Sequence, residues 1–186
     1  FLLRRQRQMC IRDRTSLDLS QNPNLLDLNC GNNLLTSLDL SQNPNLLDLN
    51  CRNNLLDSLS LNQSSALTNL DCRNNLVRNL DLSQNPNLNF LNCRANALIN
   101  LDVRNGNNTN FTTFDSYFND SLYCISVDDS SWSANNWIGI DSHTSFSNDC
   151  NNLQHTLIPD SIFEQRLIDL GYDNIHDGQV LSLIHI

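Results

Sequence analysis

The stretch SLDLSQNPNLLDLNCGNNLLT (16–36) is followed without a gap by SLDLSQNPNLLDLNCRNNLLD (37–57). The two differ only at Gly31/Arg52 and Thr36/Asp57. SLSLNQSSALTNLDCRNNLVR (58–78) and NLDLSQNPNLNFLNCRANALI (79–99) keep the same 21-residue period. A fifth, looser unit opens at Asn100 with NLDVRNG and regains register as NFTTFDSYFN when two residues are inserted. Phe111 and Phe114 then take Leu slots, Ser116 the Cys slot and Asn119 the Asn slot. A fixed period of this length marks a stacked repeat architecture.

Within a unit the spacing is L-x-x-L-x-C-x-x-N-x-L, as in Leu25, Leu28, Cys30, Asn33 and Leu35, and the second half echoes it in Leu35, Leu38, Leu40, Asn43 and Leu46. The physical reading is a solenoid turn with Leu and Cys inward, stacked on its neighbour at about the 4.8 Å strand spacing. One turn cannot bury enough apolar surface to offset the ordering of its backbone, so stability must come from stacking. Asn33, Asn54, Asn75, Asn96 and Asn119 recur where the chain bends. Their amides are expected to satisfy backbone groups that lack a strand partner. Asn22, Asn43 and Asn85, each followed by Pro, mark the opposite bend, because Pro sets a turn and forbids a helix. The short half-repeats predict extended or 3₁₀ segments in place of convex helices.

Cys30, Cys51, Cys72 and Cys93 are spaced by 21 residues. With Cys in the third apolar slot, the pattern resembles the leucine-rich repeat, and specifically the cysteine-ladder repeats of internalin-type bacterial surface proteins. The resemblance covers about residues 15–120. It implies a β-rich leucine-rich repeat solenoid of parallel strands, about five turns long, that binds protein or carbohydrate at a cell surface. The ladder thiols read as small buried apolar side chains. Parallel neighbours do not aim their Cβ vectors at one another, so disulfides between them would be strained. A linear row does not converge on a metal.

The ends depart from the repeat. FLLRRQRQMCIRDR (1–14) holds five of the 11 Arg, and its Cys10 is one residue out of phase. It looks like translated sequencing-adapter read-through, as does the terminal SLIHI, so the chain is expected to be an internal fragment with 1–14 a non-native tail. Residues 121–154 resemble the C-terminal cap of secreted leucine-rich repeat proteins, with Ile125 and Val127 in a last strand and Trp132, Trp137 and Phe146 covering the exposed core edge. That resemblance implies Cys124 and Cys150 as the cap's disulfide pair, hence an oxidising, extracellular setting. From 155 to 186 the pattern changes again. Ser161-x-x-Glu164 is a capping box, and Phe163, Leu167 and Leu170 share one helical face ahead of Gly171. The expectation is a short helix near 161–170, either the helical start of a second repeat array or part of the same cap.

Composition excludes several classes. The chain carries 34 Leu and 32 Asn, no Lys, 11 Arg and 20 acidic residues, for a net charge of −9. That balance argues against nucleic acid as a partner, and no apolar stretch is long enough to span a membrane as a helix. No catalytic set is legible: His143 beside Asp141 and Ser142 is a sequence neighbourhood, whereas a triad is spatial. The Asp173–Gly178 stretch departs from the calcium-loop pattern. Asp128, Asp129 and Asp149 read as a solvated acidic loop. No enzyme activity, metal or cofactor is expected.

Three outward columns on the Cys-bearing strand carry the candidate ligand face. The first holds Asp27, Asp48, Asn69, Phe90 and Thr113; the second Asn29, Asn50, Asp71, Asn92 and Asp115; the third Gly31, Arg52, Arg73, Arg94 and Tyr117. Arg beside Asn and Asp suits polar or carbohydrate ligands or an acidic protein surface, and the aromatics Phe90 and Tyr117 come only toward the C-terminal end. The competing reading is a rigid spacer whose polar exterior serves solubility. A targeting role for a catalytic domain outside this stretch is a third. On the opposite strand Asp18, Asp39, Asp81 and Asp102 stack in one column, which like-charge repulsion disfavours unless the carboxylates cap bend amides.

Overall fold

The computed structural model describes residues 13–150 together with strands 155–157 and 179–181. It divides into two compact units, Phe1–Asn148 and Asp149–Ile186.

The first unit is a solenoid of two parallel sheets, each built from three-residue strands. β1 (Asp27–Asn29), β2 (Asp48–Asn50), β3 (Asn69–Asp71), β5 (Phe90–Asn92) and β7 (Thr113–Asp115) form one sheet, in that order. β4 (Asn79–Asp81), β6 (Asn100–Asp102), β8 (Cys124–Ser126) and β9 (Ser145–Ser147) form the other. The register follows the sequence period: Leu28 pairs with Leu49, Leu49 with Leu70, Leu70 with Leu91, and Leu91 with Phe114. The two-residue insertion of the fifth unit is absorbed around a 3₁₀ turn at Asn108–Asn110, so β7 meets β5 in phase.

The interior is the Leu/Cys stack. Leu46, Leu56, Leu67, Leu70, Leu88, Leu91, Cys51, Cys72 and Cys93 are fully buried, and Ser116 and Asn119 are buried at the slots the repeat assigns them. Pro sits at the second position of three of these bends, at Pro23, Pro44 and Pro86, where its fixed φ suits a turn closed by an i to i+3 bond. Leu25 N–H donates to Asn22 O at 3.0 Å, Leu46 to Asn43 at 3.3 Å and Leu88 to Asn85 at 3.1 Å. Ser64 takes the same place in the unit that lacks Pro, receiving the bond from Leu67 at 3.0 Å.

The second sheet begins only at Asn79. There Asn100 Nδ2 donates to Asn79 Oδ1 at 2.7 Å, while the preceding turns carry Ser16, Ser37 and Ser58 at that position, side chains too short to bridge one strand spacing. The sequence reading ends the repeats at residue 120 but expects one last strand at Ile125 and Val127. That strand is β8, which places both side chains in the core, and β9 follows it, aligning Phe146 with Ile125.

A seven-residue helix not anticipated from sequence, α1 (Ser130–Asn136), lies between them, N-capped by Asp129, whose side chain accepts from Trp132 N–H at 3.0 Å. Asp at an N-cap before Ser-Ser-Trp is the local signal that was available. In the second unit β10 (His155–Leu157) and β11 (Gln179–Leu181) pair antiparallel, with Thr156 opposite Val180. The helix expected near 161–170 lies outside the described residues.

Candidate functional site

Each solenoid turn closes with hydrogen bonds that use the repeated Asn. Asn54 Nδ2 donates to Cys30 O at 3.0 Å and Cys51 O at 2.9 Å, and its Oδ1 accepts from Leu35 N–H at 3.0 Å. Asn75 and Asn96 repeat this pattern one and two turns on. Asn33 serves the first turn, donating to Cys30 O at 3.0 Å and accepting from Arg14 N–H at 3.3 Å. Each rung therefore ties two turns together. Just before it the backbone turns left-handed at Asn32, Asn53, Asn74, Ala95 and Phe118, with φ between 53° and 59°. Asn tolerates that conformation; Ala and Phe do so at a cost.

Burial pushes the thiols of Cys51, Cys72 and Cys93 up from their ordinary value. A protonated buried thiol is a poor nucleophile and a poor metal ligand. Cys124 and Cys150 are each disulfide-bonded.

The outer face of the five-stranded sheet holds the three predicted columns. In the first, Asn69 Nδ2 donates to Asp48 Oδ2 at 2.8 Å, and Phe90 follows in register. The second column departs from its reading as a row presented to solvent. Asn50 Oδ1 accepts from Arg52 N–H at 3.4 Å, Asp71 from Arg73 at 3.4 Å, Asn92 from Arg94 at 3.3 Å and Asp115 from Tyr117 at 3.1 Å. Asn92 is buried, at 8% exposure. These side chains terminate their strands by capping the amide two residues on, which leaves them less free to meet a ligand. Burial holds the Asp71 carboxyl above its ordinary value, against the attraction of Arg73 and Arg52.

The third column is the more available. Gly31 leaves room for the stem of Arg52, since a Cβ there would stand 3.1 Å from Arg52 Cγ. Arg73 Nε lies 3.6 Å from Asp71 Oδ1. The Arg94 guanidinium sits over the Phe118 ring, 4.5 Å from its centroid. Phe118 is 55% exposed, and the sequence reading missed it because it falls in the Asn-rich bend rather than on the strand. Tyr117, next to it, donates its hydroxyl to Ile138 O at 2.8 Å. The C-terminal end of the face is thus a cluster of one Arg and two aromatics, adjoining the exposed Ile138.

The edge behind that cluster is sealed by residues 137–141. Ser116 N–H donates to Gly139 O at 2.7 Å, and the Asp141 carboxylate accepts from Phe118 N–H at 3.0 Å and Asn119 N–H at 2.9 Å. In earlier turns the equivalent N–H groups, such as those of Asn53 and Asn54, donate to backbone carbonyls of the next turn, so the Asp141 carboxylate replaces the backbone of a missing turn. A side chain at Gly139 would overlap the Phe114 carbonyl oxygen, so only glycine permits this approach. Trp137 stacks on Phe114 with centroids 4.1 Å apart, and Trp132 and Phe146 meet it edge-on. The opposite column also caps amides: Asp18, Asp39 and Asp81 accept from Ser20, Ser41 and Ser83 N–H, each at 2.9 Å, and Asp102 from Arg104 N–H at 3.0 Å. The amide bonds from Ser20 and Ser41 hold the Asp18 and Asp39 carboxyls below their ordinary values. Asp128 is engaged by Gly106 N–H and Asn108 N–H. Among the described residues, no group of three or more His, Cys, Asp or Glu is arranged for a metal, and no helix is long and apolar enough to cross a membrane.

The chain is similar to a solved structure, the functional domain of InlJ from Listeria monocytogenes, which includes a cysteine ladder. The two share 32% identity at a TM-score of 0.54, over 61% of this chain and 28% of that one. The repeats are internalin-like cysteine-ladder repeats on a parallel-strand solenoid, and the chain spans about a quarter of that neighbour's length. No family model and no curated protein matches.

Proposed function

We propose that this chain is an extracellular or cell-surface binding module that takes a protein or glycan ligand on the outer face of its five-stranded sheet. The observation that carries this reading is Arg94 laid over the exposed Phe118 beside Tyr117. Arg and aromatic side chains concentrate binding energy when a partner desolvates them. Arg52, Arg73, Asp48, Asn69 and Phe90 extend the contact across the turns, with Asn50, Asp71, Asn92 and Asp115 holding the strand ends that position them. The repeats occupy 15–120, a cap built around β8 and β9 occupies 121–154, and 155–186 starts a further repeat region or completes the same cap. Cys124 and Cys150 are assigned to one another, which a thiol count before and after unfolding tests: six free thiols outside residues 1–14 would overturn the pairing and the extracellular placement drawn from it.

The binding test is a titration of the full chain against a defined panel of glycans and purified surface proteins. A ligand that binds the parent and loses at least tenfold in affinity with Phe118→Ala or Arg94→Ala supports the reading. A ligand insensitive to both places binding elsewhere. The rigid-spacer reading is favoured by one observation, the near identity of units one and two, which differ at two positions. It predicts no binding on the panel.

A further inference from the structure

Asn105–Gly106 is the sole Asn-Gly step in the chain. Asn105 is 8% exposed, whereas Gly106 lies in the open with φ 76° and nothing within 4 Å of where a Cβ would stand. The bend arranges this dipeptide unusually. Gly106 N–H donates to Asp128 Oδ1 at 3.1 Å, so the amide nitrogen faces a carboxylate. The Asn105 side-chain oxygen accepts from Asn107 N–H at 2.9 Å and Asn108 Nδ2 at 3.3 Å. Its Nδ2 donates to Asn85 O at 3.0 Å. A nucleophile beside a proton acceptor, and a carbonyl polarised by two donors, are the parts an acyl transfer needs.

We propose that Asn105–Gly106 is a self-modifying site, at which the folded bend promotes cyclisation of Asn105 and its conversion to aspartate and isoaspartate. The Gly106 nitrogen forms a bond to Asn105 Cγ while its proton passes to Asp128. Charge developing on the Asn105 oxygen is held by Asn107 N–H and Asn108 Nδ2. The Cγ–Nδ2 bond then breaks, and the departing nitrogen takes the proton from Asp128 and leaves as ammonia. Water opens the resulting imide at either carbonyl, giving aspartate or isoaspartate. Glycine matters because it leaves the attacking nitrogen unshielded.

The product changes the fold locally. Asn105 is the last rung of the bend in which Asn43 donates to Asn22 O at 2.7 Å and Asn85 to Ser64 O at 2.8 Å. A carboxylate there faces the Asn85 carbonyl with no proton to donate. Isoaspartate also lengthens the main chain by one carbon just after β6. The modification would therefore loosen the C-terminal turns selectively.

The experiment incubates the full chain at neutral pH, folded and in concentrated urea, and quantifies isoaspartate at residue 105 by peptide mapping. The expected result is conversion several-fold faster folded than unfolded. Asp128→Asn should slow it several-fold in the folded chain, with no change in urea. Conversion as slow or slower in the folded chain overturns the proposal, as does a folded Asp128→Asn protein that reacts at the parent rate. If Asp128→Asn fails to fold by circular dichroism, the folded-against-unfolded comparison of the unaltered chain decides alone.

Discussion

A single asparagine in the recurrent slot satisfies more backbone than its own turn contains. Asn75 donates to Cys51 O at 3.1 Å and Cys72 O at 3.0 Å and accepts from Leu56 N–H at 3.0 Å. Asn75→Ala strands those groups in the core and should cost about 3 kcal/mol, read as a lower urea midpoint. Ala95 presents the converse case. It holds a left-handed φ of 53°, and the equivalent residues before it form a side-chain ladder, Asn53 Nδ2 to Asn32 Oδ1 at 2.8 Å and Asn74 Nδ2 to Asn53 Oδ1 at 2.6 Å. Ala95→Asn relieves strain and extends that ladder, for a gain of about 1 kcal/mol measured the same way. Asp71 contributes a pH dependence opposite in sign to that of the amide-capping Asp18 and Asp39. Its folded carboxyl is raised from the ordinary 3.8 by burial, so the folded state holds the proton more tightly than the unfolded one. Stability is therefore lost as pH rises from the unfolded value through the folded one, and the loss is complete above both. Asp71→Asn, which keeps the acceptor for Arg73 N–H, should raise Tm at neutral pH and make no difference below pH 3.8.

Among the elements, no strand in either sheet exceeds three residues, too short to be stable in isolation. Their persistence depends on register, and register depends on the 21-residue period being kept through the insertion in the fifth unit. Leu28, Leu49, Leu70, Leu91 and Phe114 stay in line, so the core row was legible from spacing. Two elements were not. α1 is a single short helix whose N-cap signal at Asp129 is local and weak. The second sheet was expected as an opposite strand running from Asp18, but its starting point was not legible: it begins only at Asn79, because whether adjacent segments pair depends on neighbours a full turn away.

For the whole molecule, the decisive feature is how the stack ends. Trp137, 6% exposed, covers the last aromatic layer, stacked on Phe114 and edge-on to Phe111 at 5.3 Å. Trp137→Ala removes that cover and should destabilise by about 3–5 kcal/mol. Because each turn contacts only its neighbours, the loss should appear first at the C-terminal end. Hydrogen exchange is expected to show early opening at β7 and β8 while β2 and β3 stay protected. Uniform loss across all turns would mean that the solenoid unfolds as one cooperative block. The same sealed edge carries the Arg94, Tyr117 and Phe118 cluster, so capping and the proposed ligand contact share a scaffold.

The 21-residue spacing alone was enough to set the repeat, its register, the inward Leu and Cys rows and the bend asparagines, because a stacked turn needs the same residue type at the same place every time. Tertiary structure decided what periodicity does not encode: that Asn50, Asp71, Asn92 and Asp115 turn back to cap their own strands, that Phe118 swings beneath Arg94, and that Gly139 and Asp141 stand in for a missing strand. Those roles depend on which backbone groups are left without a partner after folding, and that inventory exists only once the turns have stacked.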